Sequence, residues 1–188
     1  MEEKNIKETI ISLLRGTRRE GIDSLINYLI NSDFFISPAS TRNHGCYIGG
    51  LANHSLVVCE KLMQFNEQLK LGIDENSIII AALLHDVCKI DAYVRTKTDD
   101  GWTNNRNKDK GHALLSIARI KKFIKLTELE EMIIKYHMGI YGLVEFDEKS
   151  GEYTLRNESM ANAWYHYPIV KVMYFCDELV TLEEKNGF

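Results

Sequence analysis

The sequence predicts an all-α fold, a helical bundle carrying one or two small β-hairpin insertions. Three observations lead to it. Apolar residues recur at three- and four-residue spacing through most of the chain. Only two prolines occur, Pro38 and Pro168, so long helices can run unbroken. Extended-looking residues with turn signals between them are confined to two polar segments, 92–110 and 143–156.

The elements follow in order. Segments 3–15 and 20–32 read as helices through Ile6, Ile10, Leu13, Leu14 and then Ile22, Leu25, Ile26, Leu29, Ile30. Residues 33–50 read as a loop, with Pro38, Ser40, Asn43 and two glycines near its end. A helix over 51–70 has the inner stripe Leu51, His54, Val58, Leu62, Phe65, Leu69. Gly72 ends it, and Asp74 is an N-cap for a helix over 75–90. That helix is apolar nearly all round from Ile78 to Leu84, the pattern of a central buried helix. Tyr93-Val94-Arg95-Thr96 and Trp102, with the turn signal Asp99-Asp100-Gly101, allow a first hairpin. Helices resume over 112–124 and 127–138. Leu143-Val144-Glu145-Phe146 and Glu152-Tyr153-Thr154-Leu155 flank Lys149-Ser150-Gly151 as a second hairpin. A last helix over 167–183 has Pro168 in its first turn.

Composition bounds the function. A chain of 188 residues, 45% apolar and 27% charged, has the make-up of one globular domain. We expect helices of 1–40 to pack on a core formed by 41–188. A net charge of −4 argues against a nucleic-acid coat protein or a membrane-surface binder. Met-Glu-Glu-Lys-Asn lacks the apolar core of a signal peptide, and the run Ile78 to Leu84 is too short to cross a bilayer. The expectation is a cytoplasmic protein with no membrane partner. Four cysteines (Cys46, Cys59, Cys88, Cys176) show no Cys-x-x-Cys pairing, and three lie in apolar stretches as small hydrophobes.

The chemistry is carried by scattered histidines and acids. His85-Asp86 ends the most apolar helix. A carboxylate buried beside an imidazole is costly unless something neutralises it, and a divalent cation does so. His54 lies on the apolar face of its own helix. Asp177 follows Val170, Met173 and Tyr174 at helical spacing, so it faces inward. His112 and His137 open and close further helices. Singly, each has a plainer reading: an inward histidine is more often a hydrogen-bonded core residue, and Asp177 alone could pair a Lys or Arg. His166, between two tyrosines, reads as structural or surface. The combination is what points to a site.

His54, then Leu83-Leu84-His85-Asp86-Val87-Cys88-Lys89, then Asp177 resembles the HD superfamily of metal-dependent phosphohydrolases, whose metal signature is the order His, His-Asp, Asp. The flanks sharpen the resemblance. Asn43-His44-Gly45 and Gly49-Gly50-Leu51-Ala52-Asn53-His54-Ser55-Leu56 are similar to the first motif of small bacterial and phage HD hydrolases, and to the HD part of certain bacterial 3′–5′ exoribonucleases. Gly111-His112 and Tyr136-His137-Met138-Gly139 resemble the later histidine motifs of that group, and residues 167–177 its closing helix. The resemblance covers residues 42–182.

It implies an ion held by His54, His85, Asp86 and Asp177, and a second held by His112, His137 and a bridging Asp86. The implied cofactor is one or two divalent transition metal ions: Fe, Mn, Ni, Zn or Co. Asp86 and Lys89 would be the catalytic pair, Lys89 contacting phosphate as a point charge. Many relatives have Gly where Cys88 stands. Lys89 matches the lysine of the His-Asp-x-Gly-Lys variant and tilts the substrate toward phosphodiesters or polyphosphates. Lys89 also has the plainer reading of a solvated helix-end lysine.

His44, Lys89, Arg106 and Lys110 are candidate substrate contacts. Residues 92–122 hold eight Lys/Arg (Arg95, Lys97, Arg106, Lys108, Lys110, Arg119, Lys121, Lys122) against three Asp (Asp99, Asp100, Asp109). That segment either draws an anionic substrate toward the pocket or is a solvated face. Trp102 either stacks a base or anchors its loop. The expected partner is a small anionic phosphate ester, a nucleotide first; stable nucleic-acid binding is not expected, and homo-oligomerisation stays open. Two rivals accompany the phosphohydrolase reading: a 3′–5′ exoribonuclease-like phosphodiesterase on short RNA, and a non-catalytic metal- or nucleotide-binding module.

Overall fold

Helical apolar spacing becomes eight α-helices and two hairpins among the described residues of the computed structural model, which are 3–97, 101–105, 112–139, 144–147, 152–155 and 158–186. The N-terminal pair is α1 (Glu3–Gly16) and α2 (Ile22–Asn31). The long α3 (Gly50–Gln68) and the short α4 (Glu75–Leu84) follow. Asp74 caps α4, its carboxylate accepting from the Ser77 amide at 3.1 Å. Every residue of α4 from Ser77 to Leu84 is buried. It packs against α1, α3 and α6 (Glu128–Tyr136), as an all-round apolar helix must.

Between α4 and α6 lie a hairpin and α5 (His112–Ile120). The hairpin is β1 (Tyr93–Arg95) with β2 (Trp102–Asn104), and Arg95 stands opposite Trp102. The Arg95 guanidinium lies 4.5 Å from the Trp102 ring centroid, so Trp102 anchors its own hairpin. A second hairpin pairs β3 (Val144–Asp147) with β4 (Glu152–Leu155). Two helices close the chain, α7 (Glu158–His166) and α8 (Pro168–Asn186). Buried apolar side chains from α1 through α8 form one cluster. Among the described residues no helix is long and apolar enough to cross a membrane.

Two expectations need correction. The helix expected over 75–90 ends at Leu84, and the chain re-enters as a 3₁₀ turn, Val87–Lys89. Asp86 stands between them at φ −109° and ψ 17°, outside helical geometry. The Arg119 guanidinium fixes this break, donating to the carbonyls of Val87 at 3.0 Å and Ile90 at 3.1 Å. Arg119 is thus spent on backbone. The second correction is α7, which the sequence reading left out. Its short inner face, Met160 and Ala163, is buried, and it stops at His166, with Tyr167 between it and Pro168, the first residue of α8.

The loop before α3 presses on that helix. Gly45 has φ +54°, a left-handed conformation, and its carbonyl accepts from the Ala39 amide at 2.9 Å. A Cβ on Gly50 would overlap that carbonyl. Gly50→Ala should therefore cost about 1–3 kcal/mol, read as a lower urea midpoint. An unchanged midpoint would mean that the loop does not cross there.

Candidate metal centre

Two histidines reach the core from helix ends by one device. His85 follows the last residue of α4, and His137 the last residue of α6. A helix leaves its final carbonyls without amide partners. His85 Nδ1 donates to the Ala82 carbonyl at 2.7 Å, and His137 Nδ1 donates to the Ile134 carbonyl at 2.7 Å. A carbonyl oxygen only accepts, so each Nδ1 carries the proton. In the neutral ring each Nε2 then holds a lone pair.

Those lone pairs meet carboxylates. His85 Nε2 is 3.3 Å from Asp86 Oδ2 and 3.8 Å from Asp177 Oδ1. His137 Nε2 is 3.7 Å from Asp86 Oδ1. Both Nε2 atoms are buried and have no hydrogen-bond partner. Acceptor facing acceptor in a buried site is unfavourable unless a proton or a metal cation stands between them. This donor set fits a divalent metal, with histidines already oriented through their other ring nitrogen.

His54 and Asp177 complete the cluster from α3 and α8. His54 Nε2 is 2.8 Å from Asp177 Oδ1. Three donor groups have atoms all within 4.8 Å of one another: His54, His85 and Asp86; His85, His137 and Asp177; and His44, His54 and Glu184. His54, His85 and His137 have no exposed surface, and Asp86 only 3%. The structure thus brings five of the six sequence-nominated ligands together. His112 stands apart, exposed at the start of α5, its Nδ1 4.0 Å from Cys88 Sγ.

Lys89 closes the cluster on one side, its Nζ 2.6 Å from Asp86 Oδ2. The 3₁₀ turn accounts for this, because residues three apart nearly eclipse in it. Burial opposes ionisation of Asp86, yet Lys89 and His85 hold its carboxyl well below the usual range. Burial likewise works against Lys89, and Asp86 more than restores its charge. His54 is pushed down by burial but raised further by its bonds to Asp177 and Glu184, to about 9. His137 is raised the same way, Asp86 outweighing burial. Asp177 is held low against its burial by His54 and His85. The field that draws protons onto His54 and His137 is the field a divalent cation would feel.

Glu184 is the residue that the sequence reading missed. It lies seven residues, about two turns, beyond Asp177 on α8. Its Oε2 is 3.2 Å from His54 Nδ1, and its side chain is 11% exposed. The one sequence signal for it is its seven-residue spacing from Asp177, and the charged neighbours Glu183 and Lys185 mask that signal.

The cluster opens into a cleft of about 510 Å³, lined by His44, Asp86, Lys89, His112, Arg119 and Asp177 among others. His44 lies with its ring centroid 4.9 Å from that of His54. Both its ring nitrogens are buried without a hydrogen-bond partner. Burial, then Lys89, pushes its pKa down to about 4, so the ring is neutral near pH 7. Arg106 and Lys110 lie outside the described residues.

A model of the HD domain matches residues 51–158. That segment holds His54, His85, Asp86, Lys89, His112 and His137, while Asp177 and Glu184 come from α8 beyond it. No solved structure matches the chain.

Proposed function

The chain belongs to the HD domain family, whose members are generally metal-dependent phosphohydrolases, and from that membership we propose that it hydrolyses a phosphate ester or phosphodiester of a nucleotide-like substrate. The observation carrying the proposal is the pair of buried Nε2 lone pairs aimed at Asp86 and Asp177. In this reading His54, His85, Asp86 and Asp177 hold the first ion. The two oxygens of Asp86 face different imidazoles, Oδ2 toward His85 and Oδ1 toward His137, which suits a carboxylate shared between two ions. His112 would join His137 on the second ion only by reaching inward from the rim of the cleft.

When bound, the metal supplies Lewis-acid neutralisation of phosphoryl charge and an activated water. The chain's own groups do the rest. Lys89 presents its ammonium to the cleft beside Asp86 and can take a phosphoryl oxygen as a point charge. His44, neutral and without a hydrogen-bond partner, suits a contact to the substrate. A cleft of about 510 Å³ is in the range of small-molecule sites, roughly 300–1,000 Å³. That size and the net charge of −4 favour a nucleotide over a long RNA chain.

The test is release of phosphate or a nucleoside monophosphate from a panel of nucleotides, cyclic dinucleotides and dinucleoside polyphosphates. Turnover of at least one is expected with Mn²⁺, Ni²⁺ or Co²⁺, and none after EDTA. Degradation of labelled single-stranded RNA instead would establish the exoribonuclease-like reading. Metal uptake with no turnover of either class would leave a binding module.

A further inference from the structure

We propose that Glu184 is a positioning residue of the metal centre: its carboxylate holds the His54 proton on Nδ1 and so commits the Nε2 lone pair to the ion. The proposal rests on the metal reading given above. His85 and His137 each have a backbone carbonyl to fix their tautomer, Ala82 and Ile134. His54 lies within α3, not past a helix end, so no spare helix-terminal carbonyl is at hand. The chain supplies a side chain instead. Glu184 Oε2 stands 3.2 Å from Nδ1, while Asp177 Oδ1 stands 2.8 Å from Nε2. Asp177 Oδ1 is also within 3.8 Å of His85 Nε2, so it marks the ligand side of the His54 ring. Glu184 approaches through the other nitrogen.

The position is built. Glu184 is 11% exposed, two turns along the helix that carries Asp177. A Cβ on Gly45 would lie 3.4 Å from Glu184 Oε2, so the loop before α3 covers the carboxylate. Without an acceptor at Nδ1, the ring can turn or carry its proton on Nε2, where a proton and a metal compete. Loss of such an outer partner weakens metal binding by about 10–100-fold.

The experiment titrates Zn²⁺ into the metal-free full chain against a competing chelator. It compares wild type, Glu184→Leu and Glu184→Gln. Leucine has no acceptor, and glutamine keeps one in nearly the same shape. Thermal melting of the metal-free proteins checks that each is folded. Glu184→Leu should bind Zn²⁺ about 10–100-fold more weakly with the number of ions per chain unchanged, and Glu184→Gln should recover most of the loss. A long-range ¹⁵N–¹H spectrum of Zn²⁺-loaded wild type should show His54 protonated at Nδ1. That second readout decides the matter even if the leucine variant does not fold.

Equal affinity in wild type and Glu184→Leu would overturn the role of Glu184 while leaving the metal centre standing. Loss of one ion per chain in both variants would also overturn it, because Glu184 would then be a ligand, together with His44. Failure of wild type to take up Zn²⁺ would remove the metal reading, and this proposal with it.

Discussion

Asp86→Ala is expected to abolish tight metal retention and to lower turnover by about 10³-fold or more, with the helical spectrum intact. The reason is geometric. Asp86 is 3% exposed, and its two oxygens face His85, His137 and Lys89 at 3.3, 3.7 and 2.6 Å. No other carboxylate in the cluster touches both helix-end histidines and the lysine. Asp86→Asn keeps the shape and loses the charge, so it should fail in the same way. Metal content after dialysis and phosphate release read the two losses separately. An alanine variant that keeps a full complement of metal would show that Asp86 is only an ion-pair partner of Lys89.

Arg19→Ala is expected to be the most destabilising change away from the site. Glu130 has no exposed surface and collects four donors. Arg19 gives two bonds, at 2.6 and 3.1 Å, and Ser77 Oγ a third at 2.9 Å. The Thr127 amide completes a capping box at 2.8 Å. One carboxylate therefore ties the α1–α2 connection to α4 and α6. Removing Arg19 leaves a buried charge without its counter-ion, a loss of about 3–5 kcal/mol. At this chain length Tm should fall by about 10 °C. A fall of only a degree or two would mean that Ser77 and Thr127 suffice to hold the carboxylate. Metal affinity per folded molecule should not change, because Glu130 contacts none of the ligands.

How much of this was legible in the sequence depends on what each element is built from. Helices with a clear apolar face, such as α2 and α3, were readable because spacing alone phases them. The end of α4 was not. A segment apolar on every side carries no phase, and its break is fixed by His85 bonding back to Ala82 and by Arg119, 34 residues later in the chain, collecting the carbonyls of Val87 and Ile90. The short α7 was missed because only Met160 and Ala163 are buried on its inner face, too few to stand out as a period.

The site shows the same division. His54, His85, Asp86, His137 and Asp177 were nominated by type and order, and the fold gathers them. Glu184 sits between Glu183 and Lys185 in a charged stretch that reads as a solvated helix face. Only the packing of α8 on α3 turns it toward His54. Three residues of the basic stretch have partners of their own. Arg119 serves backbone carbonyls, Arg95 stacks on Trp102, and Lys121 pairs with Glu131 at 2.5 Å.

Anomalous diffraction from crystals grown with Mn²⁺ tests the arrangement most directly. The expected result is a peak bonded to the Nε2 atoms of His54 and His85 and to the carboxylates of Asp86 and Asp177, with the Nδ1 bonds of His85 to Ala82 and of His137 to Ile134 kept. A peak elsewhere, or none while those side chains bond only to one another and to Lys89, would contradict it.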